Sequence, residues 1–277
     1  MSSAKTKETR APRLNELFDD LSTMLKDFIR KHHVTYEEYH RTLAFLTEAG
    51  DKGEIPLLLD VFLEVTVDDV DHSGRPGTAT TVEGPYYVAG APELKSPCVL
   101  PHRANEPGDV LIFSGTVRGT DGAVLGGAVV DFWQADAEGR YSHFNIATAE
   151  APFNLRAKVA TDHHGHYEMQ TWVPSAYEIP KAGPTGMLIN ALGGHPWRPA
   201  HLHVRVTHPG FAPLTTQVFL KDDPWIDSDV VGAVKQSLIM GMTRHDSAAE
   251  LEKRGLSKPF YTLDYDFVLP HEMAKAA

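Results

Sequence analysis

Residues 198–217 read RPAHLHVRVTHPGFAPLTTQ. His201 and His203 stand two apart in a run of β-formers, Val204 and Val206 among them, that stops at His208-Pro209-Gly210. Successive side chains of a strand point to opposite faces, so residues two apart leave the backbone on the same side. The run therefore predicts a strand carrying both imidazoles on one face. LTTQVFLK (214–221), beyond the Pro-Gly turn, is its natural hairpin partner and places Gln217 beside the pair. Two neighbouring imidazoles can hold a transition metal if other ligands arrive from elsewhere in the fold. They equally fit a half-buried strand whose histidines make ordinary hydrogen bonds, and the short motif alone does not separate the two.

Outward from this stretch the chain keeps a β texture. VLIFSGTVR (110–118), GAVVDFWQAD (127–136), RAKVATD (156–162), HYEMQTWVP (166–174) and YTLDYDFVL (261–269) are short runs separated by Gly, Pro and Asp turns. Strands at this spacing predict a two-sheet β-sandwich over residues 76–277. One further helix is expected around Asp229–Met240. Residues 1–75 differ. Leu14, Leu17, Phe18, Leu21, Leu25, Phe28 and Ile29 recur at three- and four-residue steps, the mark of an amphipathic helix. Thr35 followed by Glu38 is a capping box opening a second helix that Gly50 should stop. A third begins near Ile55-Pro56 and is so continuously apolar (LLLDVFLEV) that burial on both sides is expected. The fold class is mainly β with an α-helical N-terminal region. The helices carry no chemical motif and read as packing or oligomerisation surface.

Composition narrows the function. A net charge of −11 over 277 residues argues against a general nucleic-acid or anionic-membrane binder. The one cysteine, Cys98, excludes an intrachain disulfide framework and fits a reducing compartment. The polar opening MSSAKTKETRAPR has no apolar core for a signal peptide, and no run approaches the ~20 apolar residues of a membrane span. A cytoplasmic protein is expected. There is no GxGxxG or P-loop pattern, no Gly-x-Ser-x-Gly elbow, no CxxC and no HExxH.

Other residues could join the histidine pair. Tyr141 and Tyr177 each follow a strand and a turn. Tyrosines so placed usually pack with the hydroxyl in water or on a backbone group, yet as phenolates they suit a hard, highly charged cation. His163, His164 and His166 are the densest histidine cluster, but on a tight turn their side chains diverge and should face solvent. His143 lies two past Tyr141 and is at most a supporting group. Arg198, three before His201, could bring a positive charge to the metal's edge or sit in a surface ion pair.

Longer blocks sharpen this reading. EIPLLLDVF, TVEGPYYVAGAP, VVDFWQADAEGRYSHF and PSAYEIPKAGPTGMLINALGGHPWRPAHLHVRVTHPGFAPLTTQ follow one another along nearly the whole chain. In this order and spacing the chain resembles the intradiol ring-cleaving dioxygenases, most closely the catechol 1,2-dioxygenase branch. The resemblance implies a non-haem Fe(III) centre held by Tyr141, Tyr177, His201 and His203, with Tyr177 the ligand that leaves to take a substrate proton. It implies that Arg198 and Gln217 lie beside bound substrate and oxygen. Gly84, Pro85, Tyr86, Ile179 and Val230 match positions lining the substrate pocket, with Ala176 close by. The implied reaction inserts both atoms of O2 into a catechol and yields a cis,cis-muconate, without organic cofactor or external reductant. Catechol and alkylcatechols are expected ahead of chlorocatechols and hydroxyquinol. A homodimer through the N-terminal helices, with lipid between them, is also implied by resemblance. Two other readings of the histidine pair are a cupin-like metal site, which Val204-Arg205-Val206-Thr207-His208 weakens by offering no acid, and a non-catalytic sandwich that binds carbohydrate or a partner protein.

Overall fold

The computed structural model describes residues 12–146 and 151–272. Its chain divides into two compact units, residues 1–53 and 54–277. In the first, a helix spans Pro12–His32 and a second Tyr36–Asp51. The capping box at the second forms as expected: Thr35 Oγ1 accepts from Glu38 N at 3.2 Å, and Glu38 Oε2 accepts from Thr35 N at 2.8 Å. Gly50 does not stop this helix. It runs through Asp51, and Gly53, at φ +68°, takes the left-handed conformation beyond the Lys52 cap.

The second unit opens with a helical segment, Ile55–Leu59, then a π-helical turn, Asp60–Glu64, then Val65–Asp71. Burial on both sides is not found. Val61 is buried, whereas Leu59, Phe62, Leu63, Val67 and Val70 are exposed, because a single face of this short, π-widened segment packs within its unit.

Behind it stands the expected sandwich. One sheet has the strand order Glu93–Lys95, Arg156–Ala160, Val129–Gln134, His201–Thr207, Leu214–Leu220, Ile239–Met240. The other has the order Thr243–His245, Phe260–Asp264, Val110–Gly119, His166–Trp172, Cys98–Val99. The strand expected over 261–269 is broken into Phe260–Asp264 and Phe267–Leu269, both parallel to Val110–Gly119. At the break the Tyr265 carbonyl presses against Gly115, where a Cβ would lie 1.9 Å from it, and Asp266 accepts from Thr116 N at 2.7 Å in place of a ladder bond.

The helix expected around Asp229–Met240 does not form either. That stretch holds a 3₁₀ turn at Gln236–Leu238 and the edge strand Ile239–Met240. The Asp229 carboxylate accepts from the amides of Val231 and Ala233, at 3.3 and 3.0 Å, and Gly232 sits at φ +70°. A short acidic side chain bonding the following backbone competes with helical hydrogen bonds, and here it wins.

Side-chain alternation explains where the sandwich core ends and a second environment begins. Leu202, Val204 and Val206 point between the sheets into the core with Val130, Phe132, Leu214 and Val218. His201 and His203, offset by one residue, leave on the outer face of the same sheet. That outer face is buried too, beneath a smaller apolar cluster of Val61, Trp133, Ala135, Tyr141, Tyr177, Ile179 and Ile189.

Candidate functional site

Strand register assembles the floor of the site. Arg156 pairs with Trp133, Trp133 with His203, and His203 with Gln217, so four adjacent strands present these side chains in one row. The Trp133 ring stacks on His203 with centroids 4.8 Å apart and planes 9° from parallel. Phe219, opposite His201, lies with its ring 5.4 Å from that imidazole. The hairpin partner and the position of Gln217 are therefore as the Pro-Gly turn predicts.

The tyrosines arrive from turns. After Val129–Gln134 the chain reverses around buried Asp136, whose carboxylate accepts from the amides of Glu138 and Arg140, both at 2.9 Å, and from Arg103 Nη2 at 2.7 Å. Gly139, at φ +75°, passes so close to the other turn that a Cβ would lie 3.0 Å from Tyr177 Cβ. The two tyrosine turns thus pack on each other, and the rings meet edge to face at 5.4 Å. Tyr177 belongs to a two-stranded ribbon in which it pairs with Arg198, directly upstream of the histidine strand.

Four side chains converge. His201 Nε2 and His203 Nε2 face each other at 3.0 Å. His201 Nδ1 lies 2.7 Å from the Pro199 carbonyl, which can only accept, so Nδ1 carries the proton and Nε2 turns a lone pair to the site. The rings of Tyr177 and His201 are 5.6 Å apart and those of Tyr141 and His203 6.1 Å apart. The Tyr141 hydroxyl and His203 Nδ1 are buried without a hydrogen-bond partner among the described residues. Of the two, the Tyr141 oxygen is the one that a group held at the facing Nε2 atoms could engage, since His203 Nδ1 is the other nitrogen of its ring.

Electrostatics keep the set neutral without a ligand. Burial, then the nearby Arg198 charge, pushes His201 down to about 3. Burial, followed by His201 and Arg198, holds His203 well below the usual range. Burial raises Tyr141 well above an ordinary phenol, and the neighbouring Tyr177 adds to this. Tyr177 is also raised by burial, but the Arg198 guanidinium opposes the shift. Two unprotonated imidazoles and two phenols suit a cation charged highly enough to ionise the phenols. Among the described residues no group of three or more His, Cys, Asp and Glu could hold a metal, so any metal here would need the phenols.

Arg198 is fixed on three sides. Nε and Nη2 bond the Asp229 carboxylate at 3.1 and 3.2 Å, and Nη2 donates to Gln217 Oε1 at 2.8 Å. Gln217 Nε2 in turn donates to the Val82 carbonyl at 2.8 Å, so both ends of its amide are occupied. Only Nη1 is directed at the site, 3.5 Å from His201 Nε2. Burial alone would raise Asp229, but its contacts with Arg198 outweigh this and hold it below the usual carboxylate range.

Above the four side chains lies a narrow cavity lined by Tyr177, Arg198, Gly84, Pro85, Tyr86 and Ile179, with Leu57, Asp60, Val61, Glu64, Val82 and Val231 completing the wall. A Cβ on Gly84 would lie 3.6 Å from His203 Cε1, and the Tyr86 ring stacks on Tyr141 at 4.5 Å. Val230 packs against the apolar cluster that holds Tyr141, Tyr177 and Ile179 without lining this cavity itself. It faces an adjoining surface hollow with Phe62 and Leu192, leaving Val231 at the cavity, and Ala176 lines a separate hollow with Met240 and Met242. His143 packs against Phe153 at 5.0 Å. His163 and His164 are exposed.

Sequence reasoning missed Asp229, Trp133, Asp60 and Glu64. A signal for Asp229 was available in principle, since a buried arginine needs a counter-charge. The two cavity acids come from the π turn. Burial raises both, and Asp60 further raises Glu64.

Comparison with known proteins identifies the family. The family described as Dioxygenase matches residues 82–271, and that described as Catechol dioxygenase N terminus matches residues 11–78. A chlorocatechol 1,2-dioxygenase of Rhodococcus opacus is 41% identical over 94% of this chain and 98% of its own. A hydroxyquinol 1,2-dioxygenase of a Rhizobium species is 35% identical over 96% and 92%. Among solved structures, catechol 1,2-dioxygenase of an Acinetobacter species superposes with a TM-score of 0.88 at 31% identity, covering 96% of this chain and 89% of that one. With full-length matches at this level on top of the convergent tyrosines and histidines, the chain belongs to the intradiol ring-cleaving dioxygenase family, in its catechol 1,2-dioxygenase branch.

Proposed function

We propose that the protein inserts both atoms of O2 into a catechol, between the two hydroxylated carbons, and releases a cis,cis-muconate. The observation carrying this reading is the convergence of two facing imidazole nitrogens and two buried phenols beside a narrow cavity with one guanidinium at its edge. Tyr141, Tyr177, His201 and His203 would hold a non-haem ferric ion. Bound there, it supplies a Lewis acid that draws electron density from a catecholate and makes the ring reactive to O2.

The remaining tasks fall to the chain. A catechol has two protons to lose before it binds as a dianion. Tyr177 Oη, ionised when the ferric ion is held, would accept one, since Tyr177 lines the cavity whereas Tyr141 lies sealed below it, and the other would pass to solvent. Arg198 Nη1, left over after Asp229 and Gln217 engage the rest of the guanidinium, stabilises negative charge growing on the substrate, an electrostatic role. Gln217 acts by orienting Arg198. Leu57, Val61, Ile179 and Val231 exclude water and accept alkyl or chloro substituents on the ring. Asp60 and Glu64 disfavour an anionic substituent.

The first helix exposes Leu14, Phe18, Leu21, Leu25 and Phe28, which we assign to contact with a second copy of the chain. Light scattering should find a dimer and a monomer would contradict it, while mass spectrometry of the purified protein checks for lipid on this face. Among the described residues no helix is long and apolar enough to cross a membrane, and we place the protein in the cytoplasm.

Iron-loaded protein supplied with catechol, 4-methylcatechol, 4-chlorocatechol or hydroxyquinol under ¹⁸O2 tests the reading. The expected products are ring-opened dicarboxylates carrying two labelled oxygens, with catechol and 4-methylcatechol turned over fastest. Cleavage outside the diol, or no oxygen uptake with any of the four, would contradict the assignment.

A further inference from the structure

Arg156 is buried, at 1% exposure, on the same sheet face as the histidine pair, yet the reaction as described leaves it without a task. Its guanidinium forms a clamp. Nε donates to Ser142 Oγ at 2.7 Å, Nη2 to the Ser142 carbonyl at 3.1 Å, and Nη1 to the Tyr86 carbonyl at 2.7 Å. Ser142 Oγ passes the connection on to the Asn154 carbonyl at 3.2 Å. Ser142 directly follows Tyr141, and Tyr86 stacks on the Tyr141 ring. The guanidinium carbon itself lies 5.7 Å from the centroid of that ring. Three contacts from one side chain thus bear on one phenol: its neighbour in sequence, the aromatic ring covering it, and a cation near its own ring.

Two further observations single out this place. His143, Phe153 and Leu155 have φ values of +69°, +127° and +55°, so strained backbone sits on both sides of the clamp. Among the described residues, no carboxylate approaches the Arg156 guanidinium within ion-pair distance, unlike Arg198 with Asp229. A buried guanidinium bonded to carbonyls and a hydroxyl keeps its positive charge available to whatever anion lies nearby.

We propose that Arg156 is a positioning residue for Tyr141, fixing the direction of its phenol oxygen toward the metal and lowering the energy of the electrons that oxygen donates. This rests on the reading of Tyr141 as a ferric ligand. A cation beside an electron donor stabilises the donor, so transferring an electron out of it takes more energy. Removing the cation moves the phenolate-to-iron absorption to longer wavelength. Removing the clamp loosens the ligand, as loss of groups that orient metal ligands does, typically by about 10–100-fold in metal affinity.

The test compares full-length parent, Arg156→Met, Arg156→Lys and Ser142→Ala, each loaded with ferric ion. Visible absorption, the rate of iron loss to a chelator, and thermal unfolding of the metal-free proteins are measured. A parent without a visible band would remove the ferric-tyrosinate reading itself, whatever the variants do. Given a parent band, Arg156→Met should shift it to longer wavelength and lose iron about 10–100-fold faster. Arg156→Lys, keeping the charge without the fork, should hold the band near its parent position while still losing iron faster. Ser142→Ala should show a smaller gain in iron loss with the band in place. An Arg156→Met protein that unfolds at lower temperature but keeps the parent's band and iron retention overturns the inference, since that is what a merely structural role predicts. Equal band shifts in the Met and Lys variants overturn the role of the charge. If Arg156→Met does not fold, parent-like iron retention in both remaining variants overturns the clamp.

Discussion

Two regions of this chain are rich in histidine, and they could hardly differ more. His163, His164 and His166 crowd a turn in which Asp162 Oδ1 accepts from the amides of His164 and His166 at 2.8 and 2.9 Å and Gly165 sits at φ +72°. The first two are exposed, their rings 3.8 Å apart, and among the described residues they meet no phenol or guanidinium. His201 and His203 are fewer and farther apart in sequence, but a strand sends them to one face where Trp133, Tyr141, Tyr177 and Arg198 already converge. The proposed metal site rests on shared direction and burial among unlike side chains. Density of one residue type along the chain does not make it.

Substitutions at the two regions test that contrast. Replacing His201 or His203 with alanine should abolish iron binding and cut catechol turnover by far more than the roughly 10–100-fold typical of outer hydrogen-bond partners. Iron analysis and oxygen uptake on the same samples check this, and activity close to parent in either variant would break the contrast. Next in size is Asp229→Asn. It leaves the Arg198 guanidinium buried without its counter-charge, and breaking such a pair costs about 3–5 kcal/mol. Urea unfolding should show the loss, with turnover reduced because Arg198 Nη1 is no longer held at the site.

Acid should cost less than this for each pH unit crossed. In the metal-free protein burial and the Arg198 charge push His201 down to about 3 from its ordinary 6.5, and burial also lowers His203. Above that ordinary value neither folded nor unfolded chain is protonated there, and no penalty arises. As pH falls below it, the unfolded chain takes up protons first, and stability should drop by about 1.4 kcal/mol per pH unit for each histidine until the folded value is reached. The difference between parent and a His201→Gln, His203→Gln double variant isolates this slope. A pH-independent difference would contradict the buried, neutral state of the pair. Smallest of all, His163→Ala and His164→Ala should alter stability by less than about 0.5 kcal/mol and leave turnover unchanged.

The same contrast explains what could be read before the structure. Period-two alternation and the Pro209-Gly210 turn were enough to place His201, His203 and Gln217 on one face, because a hairpin is local and its register follows from the turn. Tyr141 and Tyr177 were identifiable through the long family-like blocks around them; singly, each looked like a packed tyrosine. What stayed hidden depends on contacts distant in sequence. Arg156, Trp133 and His203 form a row only because strands that are not consecutive pair in one register. Asp229 lay in a stretch with a helical pattern, and its carboxylate, by bonding Val231 and Ala233, prevented that helix while neutralising Arg198. The π turn that brings Asp60 and Glu64 to the cavity has no recognisable signature in LLLDVFLEV.

The most direct test is the visible and resonance Raman spectrum of the ferric-loaded parent beside Tyr141→Phe and Tyr177→Phe. A phenolate-to-iron charge-transfer band with tyrosine ring vibrations is expected in the parent. In Tyr177→Phe the band should weaken while most iron stays bound, and in Tyr141→Phe both band and iron should be lost to a greater extent. A colourless ferric-loaded parent, or a spectrum identical in all three proteins, would contradict it.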